Sequence, residues 1–187
     1  AGRVADELKN MIGSGFHAVH VDSWEAGDLN FSPGFIDEFK TRRGYDPIPF
    51  LLVHGSGRVV DGPEISDRFL WDVRRTIGDM LADNYFGKMT ELCHERGLLF
   101  QGEVAGVMVQ TTVDQLQIKG HCDIPMGEFQ MPNWLYGDHW ARWDSREAAS
   151  GARIHGKSIA AAEAFTGFDR WMTDPYGMKG IGDLAFA

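Results

Sequence analysis

Hydrophobic residues along the chain follow two patterns, short dense runs and longer segments with helical spacing. Four short runs are built from β-branched, aromatic or small residues and lie between turn-forming residues, which is typical of β-strands. The last run is rich in alanine and would suit a helix by propensity, but Gly156 before it and Thr166-Gly167 after it favour a strand. The predicted strands span residues 17–22, 98–104, 122–129 and 158–165.

Helical spacing separates these strands. Ser32-Pro33 supplies an N-cap and a first-turn proline for a helix that Gly44 ends, with Phe35 and Phe39 one turn apart. From residue 66 to residue 96, apolar side chains recur with the period of an α-helix and a glycine follows, which predicts one long helix. Further helices are predicted at residues 1–9 and 145–154.

Alternating strands and helices predict a parallel sheet and therefore an α/β fold. No glycine-rich phosphate loop follows a strand, so the pattern favours a (β/α)-barrel of the TIM type over a doubly wound nucleotide-binding sheet. A complete barrel needs about 250 residues, whereas this chain has 187. We therefore interpret residues 1–187 as a partial (β/α)8 barrel with parallel strands, a fragment of a single catalytic domain truncated at both ends.

Composition narrows the range of partners. The chain is 43% hydrophobic and 24% charged, with a net charge of −9 and a pI near 5.2. An acidic chain without a basic cluster argues against nucleic acid or an anionic membrane surface as a partner. No apolar stretch approaches the roughly 20 residues that a membrane span requires. Cys93 and Cys122 lack the spacing of a disulfide framework or a metal site and are interpreted as buried thiols.

Each predicted strand carries a glutamate at or near its carboxyl end, namely Glu25, Glu103, Glu128 and Glu163. Parallel barrels place their active sites at that end, where the strand tips and βα loops converge. One such glutamate would be an ordinary surface carboxylate, but four on neighbouring strands indicate a shared site. Carboxylates held close together have different pKa values, so one can donate a proton while another acts as base or nucleophile. Surplus carboxylates can hold a hard cation such as Ca²⁺.

Aromatic residues adjoin these glutamates, and flat rings can stack on the C–H faces of sugars. A tryptophan-rich stretch at residues 131–143 follows the third predicted strand, and a binding loop explains it better than a core does. Taken singly, each aromatic residue is equally compatible with a place in the core. The candidates for substrate binding are Asp22, Trp24, Glu103, Phe129, Trp134, His139 and Trp140.

Five segments in combination resemble glycoside hydrolase family 106, which contains α-L-rhamnosidases. The similarity extends along nearly the whole chain, from about residue 15 to residue 186, and it is specific in combination rather than motif by motif. The segments are DSWE at 22–25, FSPGFIDEFKTRRGYD at 31–46, RFLWD at 68–72, DIPMGE at 123–128 and AAEAFT at 161–166.

This resemblance implies a (β/α)8 catalytic domain within a larger bacterial enzyme, secreted or periplasmic, although no signal peptide opens this chain. Such an enzyme acts on plant polysaccharides or rhamnosylated compounds, inverts the anomeric centre and depends on calcium. Within the matching motifs, Glu25 is assigned as general acid and Glu163 as general base, although the sequence alone could support a swap of these roles. Glu103 and Glu128 would then be calcium or sugar ligands.

Two other readings of the site stay open. One is a retaining barrel glycosidase of other specificity, with two glutamates only about 5–5.5 Å apart instead of the 6.5–9.5 Å of inverting enzymes. The other is a non-catalytic barrel fragment that binds carbohydrate. In each case the expected partners are a carbohydrate and the remaining strands and accessory domains of a longer protein. A partial barrel exposes sheet edges, so we expect the fragment by itself to be inactive.

Overall fold

The computed structural model describes residues 2–26, 31–104, 113–131, 138–167 and 172–187, without the side chains of residues 138–142. Four parallel strands form one sheet in the order of the chain. They are β1 (Ala18–Val21), β2 (Leu99–Glu103), β3 (Ile124–Gln130) and β4 (Ala161–Thr166). Each crossover returns to the neighbouring position, as in a (β/α)-barrel, and the four strands make up the open sheet of a partial TIM-type barrel. The predicted fold class is therefore confirmed.

Helices cover one face of this sheet. Those of the described residues are α1 (Gly2–Glu7), α2 (Phe35–Arg43), α3 (Leu51–Ser56), α4 (Pro63–Leu81), α5 (Lys88–His94), α6 (Gln115–His121), α7 (Asp138–Ile154) and α8 (Pro175–Phe186). Short 3-10 turns lie at Lys9–Met11 and Ile48–Phe50. Within the described residues, no helix is both long enough and apolar enough to cross a bilayer.

Three predicted helices differ from the observed ones. Helix α7 begins at Asp138, seven residues before the start of the helix predicted at residues 145–154. Helix α2 begins at Phe35 after Gly34, and Ser32 contributes its carbonyl oxygen to the amide of Phe35 instead of a side-chain cap. The predicted long helix at residues 66–96 is interrupted by a π-helical turn at Ala82–Gly87. A π-turn accommodates one extra residue, and it lets Phe86 and then Cys93 stay on the buried side.

The main core lies between the sheet and the helices. Side chains alternate along a strand, and Phe100 of β2 points outwards into a cluster that contains Phe86, Leu98 and Ile118. A second cluster, built around Phe39 and Phe69, joins α2, α3 and α4 between β1 and β2. Both cysteines are buried free thiols, as predicted, and burial raises the pKa of Cys122 to about 12.

The opposite face of the sheet corresponds to the interior of a barrel and carries the polar residues. Gln101 and Glu103 lie on it from β2, and Glu128 and Glu163 occupy paired positions on β3 and β4. Leu99 lies on the same face and is 44% exposed. This exposure is expected where four strands of a larger barrel are present.

Candidate active site

Three carboxylates from three strands of the sheet meet at one site. Asp22 directly follows β1, Glu103 ends β2 and Glu163 lies in β4. Each has a side-chain oxygen within 4.8 Å of such an oxygen in the other two. We call these three residues the acidic trio. The alignment of β1, β2, β3 and β4 creates the trio, because it brings their tips to one edge of the sheet.

Burial makes the acidic trio electrostatically unequal. Glu103 is 3% exposed, and burial, a hydrogen bond with Asp22 and the nearby charges of Glu128 and Glu163 raise its pKa to about 9. The pKa of Asp22 is lowered, because Asp22 accepts the hydrogen bond from Glu103 and another from the amide of Ser23 at 2.8 Å. At neutral pH the pair therefore holds one proton, carried by Glu103.

Glu128 lies next to the trio, opposite Glu163 in the sheet. Burial raises its pKa, and the negative charges of Glu163 and Asp144 act in the same direction. A hydrogen bond of 2.8 Å from the Gln130 side-chain amide opposes this shift. The amide N–H of Glu128 donates to Asp144 of α7 at 2.5 Å, so strand and helix are joined at the site itself.

A backbone irregularity shapes the fourth strand beside Glu163. The pairing of β3 and β4 shifts after Phe129, so that Gln130 lies opposite Thr166 and Phe165 is the extra residue. Phe165 adopts φ 61°, a conformation that bulky residues rarely take. This bulge returns Thr166 to the face of Glu163, and its hydroxyl donates to the Glu163 carboxylate. Bulges with local strain are common beside active sites.

The structure separates Glu25 from the acidic trio. Glu25 is exposed and accepts a hydrogen bond of 2.7 Å from the hydroxyl of Ser23. Among the described residues, the carboxylate group with oxygens within 4.8 Å of one another consists of Asp22, Glu103 and Glu163. Of the four glutamates selected from the sequence, two therefore belong to the trio, Glu128 adjoins it and Glu25 lies outside it.

The predicted aromatic contacts occupy the helix side of the sheet. Trp24 packs edge to face on Tyr85, with ring centroids 4.7 Å apart, against the main core. Phe129 is 4% exposed and packs on Phe165 and Ile181, on the face opposite Glu128. In this structure Phe129 is thus part of the core, whereas Trp24 is half-buried against the main core. Trp134 and the side chains of His139 and Trp140 lie outside the described residues.

Sequence reasoning missed several polar partners of the glutamates. Gln130 follows Glu128 by two positions, so strand alternation could have placed it on the same face. Thr166 follows Glu163 by three positions and contacts it only because of the bulge. No sequence pattern predicts that bulge. Asp144 and Lys119 lie on two different helices, and no sequence motif around either residue indicates a contact with β3.

A parallel barrel sheet with carboxylates gathered at the carboxyl ends of its strands is the arrangement of a barrel glycoside hydrolase. The chain belongs to glycoside hydrolase family 106, described as alpha-L-rhamnosidase, whose model matches residues 2–187. The resemblance found in the sequence is confirmed.

Two relatives are much longer than this chain. It is 36% identical over 184 residues to a "Putative beta-glucuronidase" of Formosa agariphila, which covers 98% of this chain and 15% of that protein. The structure of a rhamnosidase from Novosphingobium sp. PP1Y superimposes with a TM-score of 0.85 at 32% identity, covering 99% of this chain and 18% of that one. The chain thus spans less than a fifth of either protein.

Proposed function

We propose that the protein containing this chain is an α-L-rhamnosidase that removes terminal α-L-rhamnosyl residues from plant polysaccharides or glycosides and inverts the anomeric centre. The observation that carries the proposal is the acidic trio, which brings three carboxylates of the parallel sheet to one site. Family membership directs this site to rhamnose. Export to the periplasm or the medium, which access to such polymers requires, is part of the same proposal.

Glu25 is the proposed general acid and Glu163 the proposed general base. An inverting enzyme holds a water molecule between base and sugar, which needs carboxyls about 6.5–9.5 Å apart. Oxygens within 4.8 Å leave no such room between two members of the trio. One partner must therefore come from outside the trio, and Glu25, exposed and three residues beyond Asp22, is the candidate. Thr166 donates a hydrogen bond to Glu163 and orients its carboxylate.

Calcium is proposed as the cofactor, with Asp22 and Glu103 as ligands and Glu128 beside them. The donors fit this ion, because Ca²⁺ takes six to eight oxygen ligands at about 2.3–2.6 Å. The separation of up to 4.8 Å between oxygens of the trio is close to the distance across such a coordination shell. A bound Ca²⁺ would supply a chelating partner for vicinal sugar hydroxyls. Asp22 and Glu103 would keep the sugar ring in place, and Glu163 would remain available to the water.

The charge of the site favours a neutral sugar. The two relatives carry different activities in their names, a glucuronidase and a rhamnosidase. A glucuronate carboxylate would meet Asp22, Glu128 and Glu163 at close range. Among the described residues, none of the salt bridges includes one of these carboxylates or Glu103. This lack of a paired lysine or arginine among the described residues supports rhamnose as the sugar.

A retaining glycosidase is the second candidate, because one observation favours it. Glu103 is a protonated acid, and an oxygen of Glu103 lies within 4.8 Å of an oxygen of Glu163. That separation is close to the 5–5.5 Å of retaining enzymes, in which the second carboxylate attacks the sugar. In this alternative Glu103 would be the acid and Glu163 the nucleophile, and Glu25 would have no catalytic part.

Substitution of the proposed acid and base tests the assignment. In the full-length protein, Glu25→Gln and Glu163→Gln should each lower the turnover of an aryl α-L-rhamnoside by about 100-fold or more. Glu64→Gln is the control, because Glu64 lies on the surface of α4, 84% exposed, beside Arg68. Undiminished turnover in both site variants would overturn the proposal. Loss of turnover in Glu103→Gln and in Glu163→Gln, with full turnover in Glu25→Gln, would favour the retaining alternative. A wild-type protein that binds the sugar without hydrolysing it would indicate a carbohydrate-binding barrel.

A further inference from the structure

A buried lysine lies behind the proposed site, in the helix layer. Lys119 of α6 has a side chain only 1% exposed. Its Nζ atom lies 3.5 Å from Asp144 and 3.6 Å from Glu147, both on α7. An ammonium group withdrawn from water is costly unless it is paired. Lys119 is therefore held between two carboxylates of one helix, away from solvent.

Asp144 connects this lysine to the sheet. Its side chain is 11% exposed, and its two oxygens have different partners. Oδ1 faces Lys119, while Oδ2 accepts the amide N–H of Glu128 at 2.5 Å. A charge-assisted hydrogen bond of this kind is about twice as strong as a neutral one. One side chain thus joins α6, α7 and the strand residue whose carboxylate adjoins the acidic trio.

Two glycines allow the close approach that this connection needs. A Cβ atom on Gly127 of β3 would lie 2.6 Å from the carbonyl oxygen of Asp144. A Cβ atom on Gly151 of α7 would lie 2.9 Å from the Cβ atom of Lys119. Neither position has room for a larger residue, so the sequence itself brings α7 against the strand and the lysine.

We propose that Asp144 is a positioning residue for Glu128, and that Lys119 holds the Asp144 carboxylate in the orientation that faces the Glu128 amide. The inference rests on the proposed function, because it assumes that Glu128 contributes to sugar or cation binding. Loss of Asp144 would leave the Glu128 amide without its acceptor, so β3 would shift where Glu128 faces Glu163. Misplacement of a site residue by about 1 Å can cost 100-fold in rate.

A matched pair of aspartates provides the control. Asp123 also holds a strand amide, since its Oδ2 accepts the N–H of Phe100 at 2.9 Å, and its side chain is 18% exposed. It precedes β3, at the amino end of the sheet and away from the carboxylates. Asp123→Ala and Asp144→Ala therefore remove the same kind of bond at opposite ends of the sheet.

The experiment uses the full-length protein, with kcat and KM for an aryl α-L-rhamnoside and Tm measured for each variant. Asp144→Ala should lower kcat/KM by about 10- to 100-fold, whereas Asp123→Ala should lower Tm and leave kcat/KM within about 3-fold. Asp144→Asn, which keeps an acceptor oxygen, should recover most of the activity. If Asp144→Ala does not fold, Lys119→Met and the double variant Lys119→Met/Asp144→Asn test the proposal instead. Lys119→Met leaves the Asp144 carboxylate without its cation and should lower activity. The double variant removes both charges and should regain activity. Equal losses in the two alanine variants, or no recovery in the double variant, would overturn the proposal.

A crystal structure of the Asp144→Ala full-length protein separates this inference from the proposed function. A Glu128 carboxylate displaced from Glu163 supports positioning by Asp144, whatever the protein hydrolyses. An unmoved carboxylate overturns it, even in an active rhamnosidase. A wild-type protein that does not cleave rhamnosides would refute the proposed function alone, and the position of Glu128 would still decide the role of Asp144.

Discussion

Replacing Glu103 by glutamine should stabilise the protein at neutral pH. The folded state raises the pKa of Glu103 from an ordinary 4.5 to about 9, mainly by burial. The folded protein therefore keeps a proton that the unfolded chain releases, so this contribution to stability is complete below pH 4.5 and is lost as the pH rises towards 9. Each pH unit above 4.5 costs about 1.4 kcal/mol, which amounts to about 3 kcal/mol at pH 7 and less than about 1 kcal/mol at pH 5.

Glutamine preserves the volume of Glu103 and can still donate to Asp22, but it holds no titrating proton. Glu103→Gln should raise the unfolding free energy by about 3 kcal/mol at pH 7 and by less than about 1 kcal/mol at pH 5. The assay is denaturant-dependent hydrogen exchange of the β2 peptide in the full-length protein, with a chelator present and the exposed Glu64→Gln as control. An equal effect at both pH values, or destabilisation at pH 7, would refute a buried, protonated Glu103.

Three further predictions follow from neighbouring features. Gly127→Ala should destabilise the domain by about 1–3 kcal/mol in thermal unfolding, because its Cβ atom would lie 2.6 Å from the carbonyl oxygen of Asp144; an unchanged Tm would contradict that packing. Removing calcium should abolish rhamnosidase activity, and adding it back should restore activity. The apparent affinity for calcium should rise from pH 5 to pH 8, because binding displaces the proton on Glu103. Activity that persists in the presence of a chelator would exclude the metal. Cys93 and Cys122 should resist alkylation in the native protein, because burial raises the pKa of both thiols; rapid labelling detected by mass spectrometry would show that they are accessible.

The strands were predictable because their runs are short and lie between turn residues. Each predicted strand contains nearly all of the observed one. Helices α3 and α6 were missed, because each spans only two turns and shows no sustained period. The π-turn at Ala82–Gly87 was missed for another reason, since a 3.6-residue pattern that continues on both sides of an extra residue looks like one helix.

The sequence predicted where the candidate site lies in the fold, but not which side chains contact one another there. Glutamates at strand ends pointed to the edge of the sheet where the acidic trio lies, whereas the membership of Asp22 in the trio depends on how β1 pairs with β2. Strand alternation could have placed Phe129 on the helix side of the sheet, because it follows Glu128 by one position. The contact of Asp144 with the Glu128 amide joins residues 16 positions apart through helix packing, which no local pattern encodes.

The configuration of the first-formed sugar tests the central claim most directly. Proton NMR can follow the full-length protein as it hydrolyses an aryl α-L-rhamnoside, before mutarotation mixes the anomers. An inverting reaction between Glu25 and Glu163 predicts that β-L-rhamnose appears first. Initial release of α-L-rhamnose would contradict that account and assign the chemistry to carboxyls as close as Glu103 and Glu163, whereas no release of rhamnose would contradict rhamnosidase activity itself.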